Sequence, residues 1–224
     1  MADIVVFHGS EEVVSPVFGK GKTYNDYGLG FYCTENLELA KEWACSHGTD
    51  GFANQYSLEM NGLSVLNLNS EKYNILNWLA ILLENRKFAI SQGLPFRAKE
   101  YIIENFLPEY KSYDIIRGYR ADDSYFAYAT AFVNGTLSVE ELKKAMMLGE
   151  LGEQIVLKSE LAFSNIKLVD SISANKVTYF HKYINRDKQA REKYQAMTNK
   201  MPSENGLYVI DIIREKIKND DSRL

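Results

Sequence analysis

Short apolar runs separated by turn residues dominate the first third of the chain. Runs of this length bounded by glycine and polar residues are typical of β-strands. Four strands are predicted in this way, over 3–7, 30–34, 53–60 and 63–68. The pair Asn61-Gly62, which stands between the last two runs, is a strong signal for a two-residue turn. This part of the protein is therefore expected to be rich in β-structure.

Helical periodicity begins between the second and third runs. Apolar residues recur there every three or four positions, which predicts a helix that begins at Thr34 or Asn36 and ends near His47. Ser138 and Glu141 form a capping-box pattern at the start of a later helix. The helices predicted after residue 70 span 71–86, 96–106, 125–133 and 138–148.

The order of the elements predicts the fold class. Two more strands are expected at 113–119 and 152–158, and the polar segment from residue 178 onward has a helical charge pattern. We therefore expect an α+β fold with a split, mostly antiparallel β core, helices inserted between the strands and a helical C-terminal extension. The core domain is placed at 1–170 and the extension at 171–224.

Composition narrows the functional classes. The 224 residues contain 26 Lys and Arg against 30 Asp and Glu, a net charge of −4, which argues against broad, charge-driven affinity for nucleic acid. Neither an apolar run of about 18 residues nor a signal-peptide pattern is present, so a cytoplasmic protein without a membrane association is expected. The two cysteines, Cys33 and Cys45, are too few for a disulfide framework and lack zinc-site spacing, so no metal is expected.

Three short segments are candidates for the chemistry. His8 stands where the first strand gives way to Gly9 and Ser10, a position that holds a side chain on a rigid element beside a cleft. The second segment, 28–34, places glycines before Tyr32, whose ring offers a flat face for stacking. The third segment contains Glu153 and Gln154 at the mouth of a late strand. Neither a Walker loop nor a dinucleotide GxGxxG fingerprint is present.

In this order, the three segments resemble the ADP-ribosyltransferases of the His-Tyr-Glu type, the clan of poly(ADP-ribose) polymerase and diphtheria toxin. The chain resembles more closely a bacterial family of DUF3990 type that is assigned to this clan. The stretches that carry the likeness are HGS, DYGLGFYCT with ELAKEWA, YDIIRGYRADDSYF and LGELGEQIVLKS. Together they extend from about residue 4 to residue 165.

The resemblance implies roles for these residues around NAD as substrate. It makes His8 the holder of the ribose next to the nicotinamide, Gly9 a backbone clamp for the carboxamide and Ser10 a supporting donor. It places the ring of Tyr32, which follows Gly30, against the nicotinamide. Trp43, in the first helix, is the residue that could cover the other face of the ring.

The third catalytic position stays open between two neighbours. Comparison with the polymerase pattern favours Glu153, whereas the DUF3990-type pattern favours Gln154. Neighbouring strand residues point to opposite faces, so only one of them enters a given cleft. We favour Gln154 slightly, and a neutral amide there favours transfer of a single ADP-ribose unit, or NAD hydrolysis, over polymer formation. Asp114, Asp122 and Asp123 are candidates for the acceptor side.

The resemblance implies a bacterial mono-ADP-ribosyltransferase that acts on an unknown protein or nucleic acid, as a toxin of a toxin–antitoxin or phage-defence system. A small neutralising antitoxin is then an expected partner. The alternative is a catalytically weak or inactive module that binds NAD or ADP-ribose and acts through a partner. The presence of Gln154 in place of a carboxylate is the feature that favours this alternative.

Overall fold

Two β-sheets and the helices that cover them form the core of the protein. The computed structural model describes residues 3–87, 90–121, 123–147, 153–198 and 206–224. The strands of this part of the chain are β1 (Ile4–Ser10), β2 (Phe31–Cys33), β3 (Gly51–Leu58), β4 (Val65–Asn67), β5 (Ile115–Tyr119), β6 (Glu153–Leu157) and β7 (Ile166–Ala174). The helices are α1 (Leu37–Ala44), α2 (Ile75–Asn85), α3 (Leu94–Phe106), α4 (Asp123–Val133), α5 (Val139–Met147), α6 (Glu160–Ser164), α7 (Lys176–Thr198) and α8 (Val209–Glu215).

The strand pairing confirms the α+β class. One sheet has the order β1-β3-β7 and the other the order β2-β6-β5-β4. Their hydrogen-bonded pairs are antiparallel except for β4 and β5, which are parallel. The core is therefore split and mostly antiparallel, as expected, with α1 inserted between β2 and β3.

The two sheets meet where β1 and β2 lie side by side. The backbone N–H groups and carbonyls of Phe7 and Thr34 exchange two hydrogen bonds of 2.7 and 2.9 Å, which link the sheets. Apolar side chains from both sheets, including those of Val6, Tyr56 and Ile155, are fully buried beneath this junction. Residues that follow β1 and precede β2 are consequently held close together at one edge of the core.

The helix α2 is buried on nearly all sides. Its sequence is almost wholly apolar, which is typical of a helix enclosed by other elements rather than lying on a surface. Asn74 caps its first turn, and the side chain of Asn77 bonds back to the backbone of Asn74. The predicted capping box of α5 is also present, because Ser138 and Glu141 exchange the expected hydrogen bonds.

The strand β7 is missing from the sequence prediction. Only its ends are buried, and its middle residues Lys167 to Asp170 are exposed, so the segment lacks the apolar run that marks a strand. The division expected after residue 170 falls inside β7, which pairs with β3 along its whole length. Asn61-Gly62 does form a turn, with Gly62 at φ +78°, but the flanking strands join different sheets.

The C-terminal helix α7 is attached to α1 by a partly buried ion pair. The Nε and Nη2 of Arg186 each donate to the carboxylate of Glu42 at 2.8 Å, and the Glu42 side chain is only 4% exposed. The Tyr128 hydroxyl of α4 donates to the Ala190 carbonyl of α7 at 3.0 Å. These contacts hold α7 against both α1 and α4. No helix among the described residues has the length and apolar character that crossing a bilayer requires.

We expect Arg186→Ala to destabilise the protein because it leaves the buried Glu42 carboxylate without its guanidinium partner. Removing one member of a buried pair costs about 3–5 kcal/mol, and the partial exposure of Arg186 reduces the expected loss to about 2 kcal/mol. Urea unfolding measures this difference. Lys188→Ala, which removes an exposed cation of the same helix, is the control and should change stability by less than about 0.5 kcal/mol. Equal effects of the two substitutions would contradict the account of this ion pair.

Candidate functional site

A cavity of about 720 Å³ opens at the junction of the two sheets. Its volume lies within the range of about 300–1,000 Å³ that is usual for small-molecule and cofactor sites. Five residues of the sequence prediction line it: His8, Gly30, Tyr32, Trp43 and Gln154. Residues of the predicted site that come from β1, β2, α1 and β6 therefore lie around one cavity, and Gly30 lies in its wall.

His8 lies two residues before the end of β1 and is held by the neighbouring strand β2. Its Nδ1 lies 2.7 Å from the Tyr32 carbonyl oxygen, and its ring packs on that of Phe31 with centroids 4.5 Å apart. Burial lowers the pKa of His8, and the hydrogen bond to the carbonyl opposes this effect only in part. A carbonyl can only accept, so the neutral ring carries its proton on Nδ1 and leaves Nε2 as an acceptor for a ligand hydroxyl.

The hydroxyl of Tyr32 is engaged in holding the glycine-containing loop before β2. It donates to the Gly28 carbonyl at 2.6 Å and accepts from the Tyr27 backbone N–H at 3.1 Å. Burial raises the pKa of Tyr32 well above its ordinary value. The hydroxyl therefore stays protonated and serves the loop, which leaves the aromatic ring as the part of Tyr32 that can meet a ligand.

Lys158 also holds the loop that precedes β2. Its ammonium group donates to the carbonyls of Tyr27 and Leu29, each at 2.5 Å, and burial lowers its pKa to about 8. At Gly30, a Cβ would lie 2.7 Å from a methyl carbon of Val156, so only glycine permits this approach to β6. The loop is consequently a fixed wall of the cavity.

Gln154 presents a buried acceptor, and Asp26 sets its orientation. The Gln154 Nε2 lies 3.5 Å from the Asp26 Oδ2, and a carboxylate can only accept, so the amide nitrogen faces Asp26. The Gln154 Oε1 is buried and has no hydrogen-bond partner among the described residues. A buried acceptor without a partner costs free energy, which a ligand donor entering the cavity would recover.

Asp26 is itself held by groups from other elements. Its Oδ1 accepts from the Arg86 Nη1 at 3.1 Å, and its Oδ2 accepts from the Ala121 backbone N–H at 2.9 Å. The guanidinium of Arg86 lies 4.8 Å from the centre of the Phe126 ring. Asp26 and Arg86 both line the cavity, and the sequence analysis identified neither of them.

Glu153 lies outside the cavity. Its carboxylate pairs with Arg117 at 2.8 Å and also accepts from Asn69, on the face of the second sheet opposite to Gln154. Because side chains alternate between the two faces of β6, Glu153 and Gln154 point in opposite directions. Of the two, Gln154 is the one that lines the cavity with His8 and Tyr32.

Gly9 and Ser10 are engaged within the first sheet and do not line the cavity. A Cβ on Gly9 would lie 2.0 Å from the Ala40 carbonyl oxygen, so glycine here permits the contact of β1 with α1. The Ser10 hydroxyl donates to the Glu12 carbonyl at 2.6 Å and accepts from the Asn54 amide. Both residues belong to β1 and pair with β3, so the strand continues past His8 instead of ending there as the sequence predicted.

Trp43 forms part of the cavity wall together with a cation. The Arg120 guanidinium lies 4.5 Å from the centre of the Trp43 ring and covers one of its faces. The Trp43 Nε1 is buried without a hydrogen-bond partner among the described residues, so a ligand acceptor could bind there. Trp43 and Gln154 therefore supply one unpaired donor and one unpaired acceptor to walls of the same cavity.

Cationic side chains outnumber carboxylates around the cavity. The described lining residues include Lys20, Lys22, Arg86 and Arg120, against the single carboxylate of Asp26. A concave, positively charged surface attracts anionic ligands, and phosphate groups above all. The chain is acidic overall, but the surface of this cavity is basic.

Of the three aspartates expected on the acceptor side, Asp114 does not line this cavity. Asp114 accepts from the hydroxyls of Ser64 and Ser159, which lower its pKa, and it joins the starts of β4, β5 and α6. Asp122 lies outside the described residues, as does the side chain of Asp123. Asp114 therefore has a structural role at the start of β5, whereas the cavity lies past the end of this strand, at Arg120 and Ala121.

A comparison with protein families matches residues 4–168 to one family, described as DUF3990, a protein of unknown function. This match spans well over half of the chain. The chain belongs to the DUF3990 family. No curated protein and no solved structure matches it. The matched segment of this DUF3990 protein contains His8, Tyr32, Trp43 and Gln154, whereas α7 lies beyond it.

We expect Gln154→Glu to place a second carboxylate beside that of Asp26 and to destabilise the protein in a pH-dependent manner. Repulsion raises the folded-state pKa of the pair above the unfolded value of about 4.3, so the folded state binds more protons. The variant should therefore lose about 1–3 kcal/mol relative to wild type at pH 7.5 and much less at pH 4.5.

Urea unfolding at the two pH values measures this difference, and Gln92→Glu, on the exposed surface, is the matched control. A deficit of the same size at both pH values would show that the two side chains do not interact.

Proposed function

We propose that this DUF3990 protein is an NAD-dependent mono-ADP-ribosyltransferase. The observation that carries the proposal is the meeting of His8, Tyr32 and Gln154 around one cavity, although Gln154 is more than a hundred residues from the other two in the chain. The resemblance to His-Tyr-Glu transferases depends on the sequence motifs that contain these residues. An ADP-ribosyltransferase-like fold is part of the proposal, supported by the split β core with β1 and β2 adjacent at the site.

The cavity fits the chemical groups of NAD. The unpaired Gln154 Oε1 matches a ribose hydroxyl as donor, and the His8 Nε2 offers a second acceptor for the same sugar. The ring of Tyr32 offers a flat surface for the nicotinamide. The cationic side chains of Lys20 and Lys22 match the charge of the diphosphate.

In the proposed reaction, the bond between the ribose C1′ and the nicotinamide nitrogen breaks, and its electron pair leaves with the nicotinamide, which becomes neutral. The sugar develops positive charge, and the acceptor forms the new bond to C1′ and loses a proton. The protein positions the ribose through His8 and Gln154, which holds C1′ near the acceptor. The carboxylate of Asp26, next to Gln154, contributes negative charge near the developing cation.

The neutral amide of Gln154 favours transfer of a single unit. It accepts a hydrogen bond but does not activate a ribose hydroxyl as a base, so growth of an ADP-ribose chain lacks its activating group. The acceptor is a protein or nucleic acid. The proposed role is that of a cytoplasmic bacterial toxin in a toxin–antitoxin or phage-defence system, controlled by a small antitoxin protein, and it rests on the family resemblance.

A second candidate function is a module that binds NAD or ADP-ribose without turnover. The observation that favours it is the same amide, which provides a ligand contact but no carboxylate at the third position. The two functions differ in whether the bond to nicotinamide is broken.

Purified protein incubated with NAD and a bacterial lysate should release free nicotinamide and attach single ADP-ribose units to protein or nucleic acid, detected by mass spectrometry. We expect His8→Ala and Tyr32→Ala to reduce nicotinamide release by at least about 100-fold, because both remove contacts that position the riboside. His47→Ala removes an exposed histidine away from the cavity and should leave release unchanged.

Absence of nicotinamide release by the wild type would refute the transferase. If the wild type nevertheless binds NAD in calorimetry, the second candidate is supported.

A further inference from the structure

The cavity includes one residue from the C-terminal helix. Tyr183 of α7 is half-buried and lines the same cavity as His8 and Gln154. The helix α7 follows the segment that matches the family, which ends at residue 168. A residue outside that segment thus contributes to the wall of the candidate site.

The position of Tyr183 is set by contacts between α7 and α1. Arg186, three residues further along α7, bonds through two nitrogens to Glu42, and Lys182 pairs with Glu38 at 2.8 Å. Residues three apart lie on one face of a helix, so Tyr183 and Arg186 share the face that meets α1. Glu42 immediately precedes Trp43, so the ion pair fixes α7 beside this tryptophan.

Trp43 marks the end of the cavity at which His8 lies. A Cβ on Gly9, the residue after His8, would lie 2.8 Å from the Trp43 Cβ, so the two chain segments touch there. Under the proposed function, His8 contacts the ribose that carries the nicotinamide. Tyr183 therefore continues the aromatic wall at the nicotinamide end of the site, on the side that α7 covers.

We propose that Tyr183 is a specificity-determining residue that covers the nicotinamide end of the cavity and selects the intact dinucleotide over ADP-ribose. This inference rests on the proposed function. An aromatic ring at this end adds contact area for the nicotinamide ring of the dinucleotide. ADP-ribose lacks the nicotinamide and therefore gains no such contact. The C-terminal helix thereby sets the ligand preference of the cavity.

Binding of two probes by calorimetry tests the inference. Carba-NAD, in which a methylene group replaces the ring oxygen of the nicotinamide ribose, retains the base and resists cleavage, whereas ADP-ribose lacks the base. We expect Tyr183→Ala to weaken carba-NAD binding by about tenfold and ADP-ribose binding by less than about twofold. Tyr183→Phe, which keeps the ring, should retain most of the preference.

Ile184→Ala changes an exposed neighbour in α7 that does not line the cavity, and it is the matched control. Tyr183→Leu, which retains volume without the aromatic ring, provides the same readout should the alanine variant not fold. Equal losses for both probes, or no loss for either, would overturn the specificity role while the wild type still binds. Failure of the wild type to bind both probes would instead overturn the proposed function.

Discussion

The buried carboxylate of Asp26 is the interaction on which the site depends. It accepts hydrogen bonds from Arg86 after α2, from the Ala121 backbone after β5 and, at 3.5 Å, from Gln154 in β6. A buried carboxylate is stable only when such donors surround it, so its presence constrains all three elements at once. Because the carboxylate cannot donate, the amide nitrogen of Gln154 faces Asp26. The Gln154 Oε1 is then left as an acceptor in the cavity.

The other walls of the cavity depend on close backbone contacts that glycine permits. Glycine at position 9 lets β1 contact α1, and glycine at position 30 lets the loop contact β6. These contacts bring His8 and Tyr32 together, and the hydrogen bond from His8 to the Tyr32 carbonyl fixes the imidazole. The site thus combines neutral acceptors for a sugar, aromatic surface for a base and cations for a diphosphate, which is the combination that the proposed NAD chemistry requires.

Local patterns predicted much of the fold, because β1, β3, α1 and the capping box of α5 depend on residues close in sequence. The edge strand β7 escaped prediction because its middle faces solvent and has no apolar periodicity. The choice between Glu153 and Gln154 depends on which face of β6 meets the cavity, and pairing with β5 decides this. The motif that contains Tyr32 also includes Asp26, but the partners of Asp26, which are Arg86 after α2 and Gln154 in β6, are distant in sequence, so its role was not predictable.

The most direct measurement is a crystal structure of the protein with carba-NAD. The account predicts that the nicotinamide ribose lies in the cavity, with a hydroxyl about 2.6–3.2 Å from the Gln154 Oε1 and another group bonded to the His8 Nε2. The nicotinamide should contact the ring of Tyr32, and the diphosphate should lie near Lys20 and Lys22. A dinucleotide bound elsewhere, or a riboside that contacts neither His8 nor Gln154, would contradict the account.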